Sequence, residues 1–358
     1  MRETVTRGAT LGLGSLRVSS FFRRFRNATE WLRWILVHWV AAEAPVATAR
    51  GRRILSLDAT TFSCPGSPGT DYRLHYALEV MTGETVSLEI TDQHAGETLR
   101  RFELRAGDIV LGDRLYANPA GVAHGVAQGA DVVVRLNTAA LPLYTAEGER
   151  FDLASCGRRL RVGSVREYET WVHPKTGAPI RGRLTVLRLT KEQMRQARRR
   201  LRRRASRLGV GRMSTLSWAL ARYLLVWTTL GKEWSTREIL DLYRARWQIE
   251  LAFKRLKSLL GLGGLPKKDA ASARSWLYAK LVLAMLVEKI IAYADARSSL
   301  PAEWEARRSR WKEFGFVFRE LGHSLLPAFG LLEMVQRWEQ IKKFLIEERR
   351  QRRFQMAC

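Results

Sequence analysis

The chain has 358 residues, 46% of them hydrophobic, which is enough to bury a sizeable core in one large or two modest domains and excludes a disordered chain. Lys and Arg number 61 against 35 Asp and Glu, a formal charge of +26. So large an excess, spread through the sequence rather than gathered in one tail, points to a polyanion: nucleic acid first, an acidic membrane surface second. The longest apolar runs, 34–42 and 281–287, stop at charges well short of the ~18 residues a bilayer span requires. The opening residues Met1-Arg-Glu-Thr-Val-Thr-Arg7 lack the apolar segment and cleavage site of a secretory signal. Cys64, Cys156 and Cys358 and the six scattered histidines show no metal-ligand spacing, so reduced thiols, a cytoplasmic location and no zinc site are expected.

In chain order, 20–42 reads as one amphipathic helix, with Phe21, Phe25, Leu32, Leu36 and Trp39 interleaved with Arg23, Arg24, Arg26 and Arg33. An Ala-rich connection with Pro45 follows. Short β-like runs at 54–57, 72–80 and 85–91, the last two joined by the Thr82-Gly83 turn, predict a meander of three strands. After it, 96–104 and 119–128 read as helices alternating with short buried strands at 109–111 and 132–134. Three strands followed by alternating helices and strands predict an α/β sheet with an antiparallel side.

Turn signals at Gly148, Gly163, Pro174 and Gly177 then separate strand-like pieces such as 184–189, so 137–234 reads as a β-rich insertion. Within it, 190–208 is a helix carrying Arg195, Arg198, Arg199, Arg200, Arg202, Arg203, Arg204 and Arg207 over a narrow apolar stripe. So dense a run of one sign repels itself without a counter-charge, and it is read as tracking phosphates rather than merely as a solvated face. The apolar segment 220–230 returns the chain to the core, 276–293 reads as a buried helix after the Gly261-Leu-Gly-Gly264 break, and 325–354 as one or two amphipathic helices with a basic tail.

Between these, the Ser235-Thr-Arg-Glu238 capping box opens a helix expected to run through Lys257. Tyr243, Arg246, Glu250, Lys254 and Lys257 fall on one face, opposite Leu242, Ile249, Phe253 and Leu256. Ordinary helical ion pairs of Glu250 with Arg246 and Lys254 would account for that stripe taken alone. Two further carboxylates change its meaning. Asp58 follows the apolar run Ile54-Leu-Ser-Leu57, at the end or middle of a strand where a lone charge is costly, and Asp113 follows Ile109-Val-Leu-Gly112 at the carboxyl end of a buried strand, where α/β sheets bind ligands. Pairing with Arg53 or Arg114 is the plainer account of each. Together with Glu250 they supply the oxygen donors for two Mg²⁺ or Mn²⁺ ions, an arrangement suited to in-line displacement at a phosphodiester.

The segments Leu57-Asp58-Ala-Thr60, Gly112-Asp113-Arg-Leu-Tyr116 and Tyr243-x₂-Arg246-x₃-Glu250-x₆-Lys257 resemble the three signatures of the DDE insertion-sequence transposases of the insertion sequence four family. The resemblance implies a ribonuclease-H-like core with the β-rich insertion ahead of the glutamate-bearing helix, Asp58, Asp113 and Glu250 as catalytic, metal-binding triad, and Tyr243, Arg246 and Lys257 as DNA-end contacts. Lys254, Arg198, Arg199, Arg202 and Arg203 are further candidates for DNA contact. The expected organisation is a helical segment over 1–50, a shortened DNA-binding region; core segments over 51–136 and 235–262 around the insertion at 137–234; and a helical region over 263–358. A transposase of this kind nicks terminal inverted repeats and joins the 3′-hydroxyl to target DNA, as a homodimer at the nucleoid. In relatives that form hairpin ends a Trp of the insertion stacks on a flipped base, and Trp171 and Trp218 lie in that region. A structure-selective nuclease and a non-catalytic DNA-binding relative remain open alternatives.

Overall fold

The computed structural model describes residues 17–41, 50–207, 209, 214–266, 269–298 and 308–324. The helix and basic tail expected over 325–354 and the connection at 42–49 lie outside the described residues. Among the described residues no helix is long and apolar enough to cross a membrane.

An eight-stranded mixed sheet organises the chain. In sequence its strands are β1 (Ile54–Phe62), β2 (Tyr72–Glu79), β3 (Thr85–Asp92), β4 (Ile109–Gly112), β5 (Asp131–Arg135), β6 (Val165–Val172), β7 (Ile180–Arg188) and β8 (Tyr223–Thr228). Their spatial order is β3-β2-β1-β4-β5-β8-β7-β6. The meander β1–β3 is antiparallel, and β1, β4 and β5 are parallel, with Ser56 beside Leu111 and Leu111 beside Val133. That part has the ribonuclease-H-like order. The strands of the 137–234 segment do not fold apart from it: β8 pairs antiparallel with β5, and the β6–β7 hairpin extends the same sheet through β8.

The sheet order follows from composition. β4 and β5 are short, and β4 is buried at every position, so they occupy the centre and need cover on both faces. Cover on one face comes from α2 (Thr29–Ala41), α6 (Thr236–Ala245), α7 (Gln248–Ser258) and the long α8 (Ala270–Asp295). The other face packs on α3 (Pro119–Ala127) and a 3₁₀ turn at Leu99–Arg101. The remaining helices are α1 (Val18–Arg26), α4 (Lys191–Arg207), α5 (Thr215–Leu220) and α9 (Arg310–Ser324).

Three expected helices differ from those observed. The one over 20–42 is broken into α1 and α2 at Asn27-Ala28. The one over 96–104 reduces to the 3₁₀ turn, because Thr98 caps Arg100 while Leu99 and Phe102 are pulled into the core. The helix begun by the Ser235 capping box is bent between α6 and α7. There Arg246, Trp247, Ile249 and Glu250 each donate to the carbonyl three residues back, so the winding tightens to 3₁₀ at the point where the signature residues lie.

Candidate active site

Strand register places the two aspartates. Ser56 and Leu111 are Cα partners on parallel neighbours, so Asp58, at the middle of β1, and Asp113, just past the end of β4, two positions further along each chain, stand side by side. Alternation turns both toward the α6–α7 face: Leu55 and Leu57 pack on the α3 side, and Leu111 on the α6 side. Asp58 Oδ1 accepts from Ala59 N–H at 2.8 Å, and Asp113 Oδ1 accepts from Leu115 N–H at 2.7 Å in a tight turn. Burial, reinforced by the charge of Asp113, pushes the Asp58 carboxyl up to about 7; the Ala59 N–H and Arg246 pull against that rise.

Glu250 sits in the first turn of α7 with its side chain 42% exposed. It reaches the aspartates through Arg246. That guanidinium donates to Glu250 Oε1 from Nη2 at 2.7 Å and stands with Nη1 3.6 Å from Asp58 Oδ2. Arg246 is buried at the α6–α7 bend, its carbonyl accepting from Ser56 Oγ on β1 at 3.1 Å. Burial opposes its charge, but Tyr243, Glu250 and Asp58 hold its pKa above the ordinary value. The i,i+4 ion pair of Glu250 with Arg246 is therefore formed, and the same arginine ties it to β1. Among the described residues no three His, Cys, Asp or Glu side chains are close enough together to hold a metal ion. The donor set nonetheless suits a hard divalent cation. It offers two carboxylates at one strand edge whose mutual repulsion a cation relieves, and a third carboxylate held one guanidinium away.

The rest of the helical stripe divides by burial. Tyr243 is buried with its ring 5.8 Å from the Arg246 guanidinium carbon, and burial raises its phenol pKa. Lys254 and Lys257 are exposed. Lys254 Nζ lies 5.2 Å from the Trp311 ring, and Lys257 Nζ 5.6 Å from the ring of Phe62, the last residue of β1, four positions beyond Asp58.

Two further residues stand close to the aspartates. Glu97 lies near both aspartates: burial, then the charge of Asp113, raises its carboxyl pKa, with Arg73 opposing from 3.8 Å. Tyr116 is fully buried, its hydroxyl makes no hydrogen bond, and after burial the charges of Asp58, Glu97 and Asp113 raise its pKa most. Tyr116 was visible as part of the second signature. Glu97 carried no local signal, since the loop that brings it in resembled a helix.

In the 137–234 segment, Arg198 and Arg202 flank the Trp218 ring at 4.4 and 5.0 Å, while Arg199 and Arg203 are exposed on the same helix. Trp171 sits on β6 and exchanges backbone hydrogen bonds with Tyr144 at 2.9 Å.

Comparison with known proteins bears on the whole chain. The family model described as "Transposase DDE domain" matches residues 49–286. The putative transposase InsL of insertion sequence element IS186A from Escherichia coli (strain K12) is 34% identical over 299 residues, covering 81% of this chain and 80% of that protein. The transposase of insertion sequence element IS421 from Escherichia coli matches over the same length at the same identity. A solved structure of the piggyBac transposase synaptic complex with hairpin DNA aligns with a TM-score of 0.42 and 8% identity, covering 83% of this chain and 58% of that one. The chain belongs to the family of insertion-sequence transposases with a DDE domain.

Proposed function

We propose that the chain cleaves DNA at terminal inverted repeats and joins the freed 3′-hydroxyl to target DNA, with Asp58, Asp113 and Glu250 as its catalytic carboxylates. The observation that carries this is the pair Asp58 and Asp113 side by side on adjacent parallel strands, with Asp58 pushed up to about 7 and tied through Arg246 to Glu250. Structural neutralisation of a lone Asp by a nearby Arg would lower its pKa; this site does the opposite, as groups tuned for chemistry do.

DDE transposases work with divalent metal, and the three carboxylates are the residues that would hold it here. Bound Mg²⁺ or Mn²⁺ supplies Lewis-acid stabilisation of the attacking and leaving oxygens. The chain's own residues do the positioning. Lys257 presents an ammonium beside the carboxyl end of β1, where it is suited to a scissile-strand phosphate, and Lys254 extends that cationic face. Buried Tyr243 fixes the arginine that joins two of the carboxylates; once Arg246 releases Glu250 its guanidinium becomes a second phosphate ligand. Double-stranded DNA is the partner, and a homodimer the working assembly.

The test is a nicking and strand-transfer assay on a labelled duplex bearing the element's end. Asp58→Asn, Asp113→Asn and Glu250→Gln should each abolish nicking and joining while DNA binding persists. Nicking without joined product in the wild type would favour a nuclease on the same fold.

A further inference from the structure

We infer that the outer rim of the sheet, from β5 across β8 and β7 to α4, is a sequence-independent track for the backbone of duplex DNA, with Trp218 positioning two of its arginines. This rests on the transposase reading and names a surface separate from the carboxylates.

The carrying observation is how the arginines are sorted. At the amino ends of the central strands they are neutralised: Arg52 pairs with Asp131 at 2.6 Å and Arg53 with Asp108 at 2.7 Å. β7 shows the contrast within one strand. Arg181 and Arg183 near its start pair with Glu169 and Glu167 at 2.7 and 2.6 Å, whereas Arg188 at its end has no ion-pair partner among the described residues. Arg135 at the end of β5 and Arg222 at the start of β8 are likewise without a carboxylate among the described residues, and each of the three has a buried guanidinium nitrogen with no hydrogen bond. Register fixes where they lie. Leu111 pairs with Val133, which sets Arg135 level with Asp113 on the next strand. Arg222 and Arg188 project beyond that level, since Val226 is the partner of Arg135 and Tyr223 the partner of Arg188. At ~4.8 Å per strand, the end of β7 lies roughly 15 Å to the side of the aspartates, at the same end of the sheet.

From that point α4 leaves the sheet. Its Arg198 and Arg202, one turn apart, both lie over the Trp218 ring on α5, at 4.4 and 5.0 Å. Arg188 stacks similarly on Tyr223 at 5.0 Å. Aromatic support fixes a guanidinium without neutralising it and leaves its N–H edge for an anion. Arginines without a carboxylate at the ends of β5, β8 and β7, with Arg188, Arg198 and Arg202 supported by rings, match the repeating charge of a phosphate backbone, which carries no sequence information itself. In this account Trp218 is committed to its two arginines and is unavailable for stacking on a base.

The test reads binding of the full chain to a duplex of unrelated sequence, by fluorescence anisotropy across salt concentrations and without divalent ions. Removing two cations by Arg188→Gln with Arg222→Gln should reduce the salt slope by about two, and Arg188→Lys with Arg222→Lys should restore it. Trp218→Ala should weaken binding by about threefold or more, and Trp218→Phe, which keeps a ring, should stay near wild type. Equal losses for the Gln and Lys pairs would mark a structural effect and overturn the track, as would unchanged slopes in the Gln pair. Because nicking plays no part in this readout, a failed track leaves the carboxylate assignment standing, and the reverse holds.

Discussion

Replacing Asp58 by Asn should stabilise the protein more at pH 8 than at pH 5. The carboxyl is 19% exposed, and its rise from the ordinary 3.8 to about 7 corresponds to about 4 kcal/mol in favour of the neutral acid in the folded state. The sign follows from the direction. A carboxyl with a raised pKa contributes stability that is fully present below the unfolded value of 3.8 and is lost as pH climbs to about 7. At pH 8 the wild type folds with a carboxylate that burial and Asp113 both disfavour, whereas an amide carries no charge to desolvate. The value of about 7 already includes the attraction of Arg246 at 3.6 Å, so the net increase at pH 8 is on the order of 4 kcal/mol at most, against about 1–2 kcal/mol at pH 5. Urea unfolding of both proteins at pH 5 and pH 8, without divalent ions, measures it. A variant less stable than wild type at pH 8, or a difference independent of pH, would refute the reasoning.

Three further substitutions probe the scaffold and the site. Arg53→Ala breaks a buried, two-pronged pair with Asp108, with bonds of 2.9 and 2.7 Å, and leaves a carboxylate 3% exposed without its counter-charge; unfolding free energy should fall by about 3–5 kcal/mol. Gly182→Ala places a methyl 2.2 Å from the buried Trp227 ring and 2.7 Å from the Thr228 carbonyl, so β7 must shift away from β8, with an expected loss of about 1–3 kcal/mol or more in a thermal melt. Ser235→Ala removes one half of the capping box that opens α6 and should cost about 1 kcal/mol by urea unfolding. Because Asp58 holds its proton up to about pH 7, the apparent affinity for Mn²⁺ should climb by up to tenfold per pH unit below that value and level off above it, which calorimetric titration would follow.

The strand framework was legible because its signals are local. Apolar runs at 54–57 and 109–111, the Thr82-Gly83 turn with Gly83 at φ +73°, and the apolar triplet at 132–134 each mark their strand without knowledge of a neighbour. The two aspartates were legible for the same reason, as charges directly following buried apolar runs, although β1 continues past Asp58 to Phe62. Contacts between distant segments were not. Arg246 read as a surface cation on a helical stripe, yet the bend between α6 and α7 turns it inward against β1, a step that depends on Ser56 holding its carbonyl. Glu97 was hidden by a loop whose residues suggest a helix and whose course is set by Leu99 and Phe102 entering the core. That the β6–β7 hairpin extends the core sheet was not legible, because nothing in its sequence names β8 as its neighbour; β8 itself, an apolar run, fits the middle of a sheet as well as its edge.

The most direct measurement of the central claim is metal-dependent nicking of a labelled terminal repeat by the wild type and by Asp58→Asn, Asp113→Asn and Glu250→Gln, each checked for DNA binding and for folding. Wild-type nicking in Mg²⁺, lost in all three variants with binding retained, is the predicted result. Nicking that survives neutralisation of any one of these carboxylates would contradict their assignment as the catalytic triad.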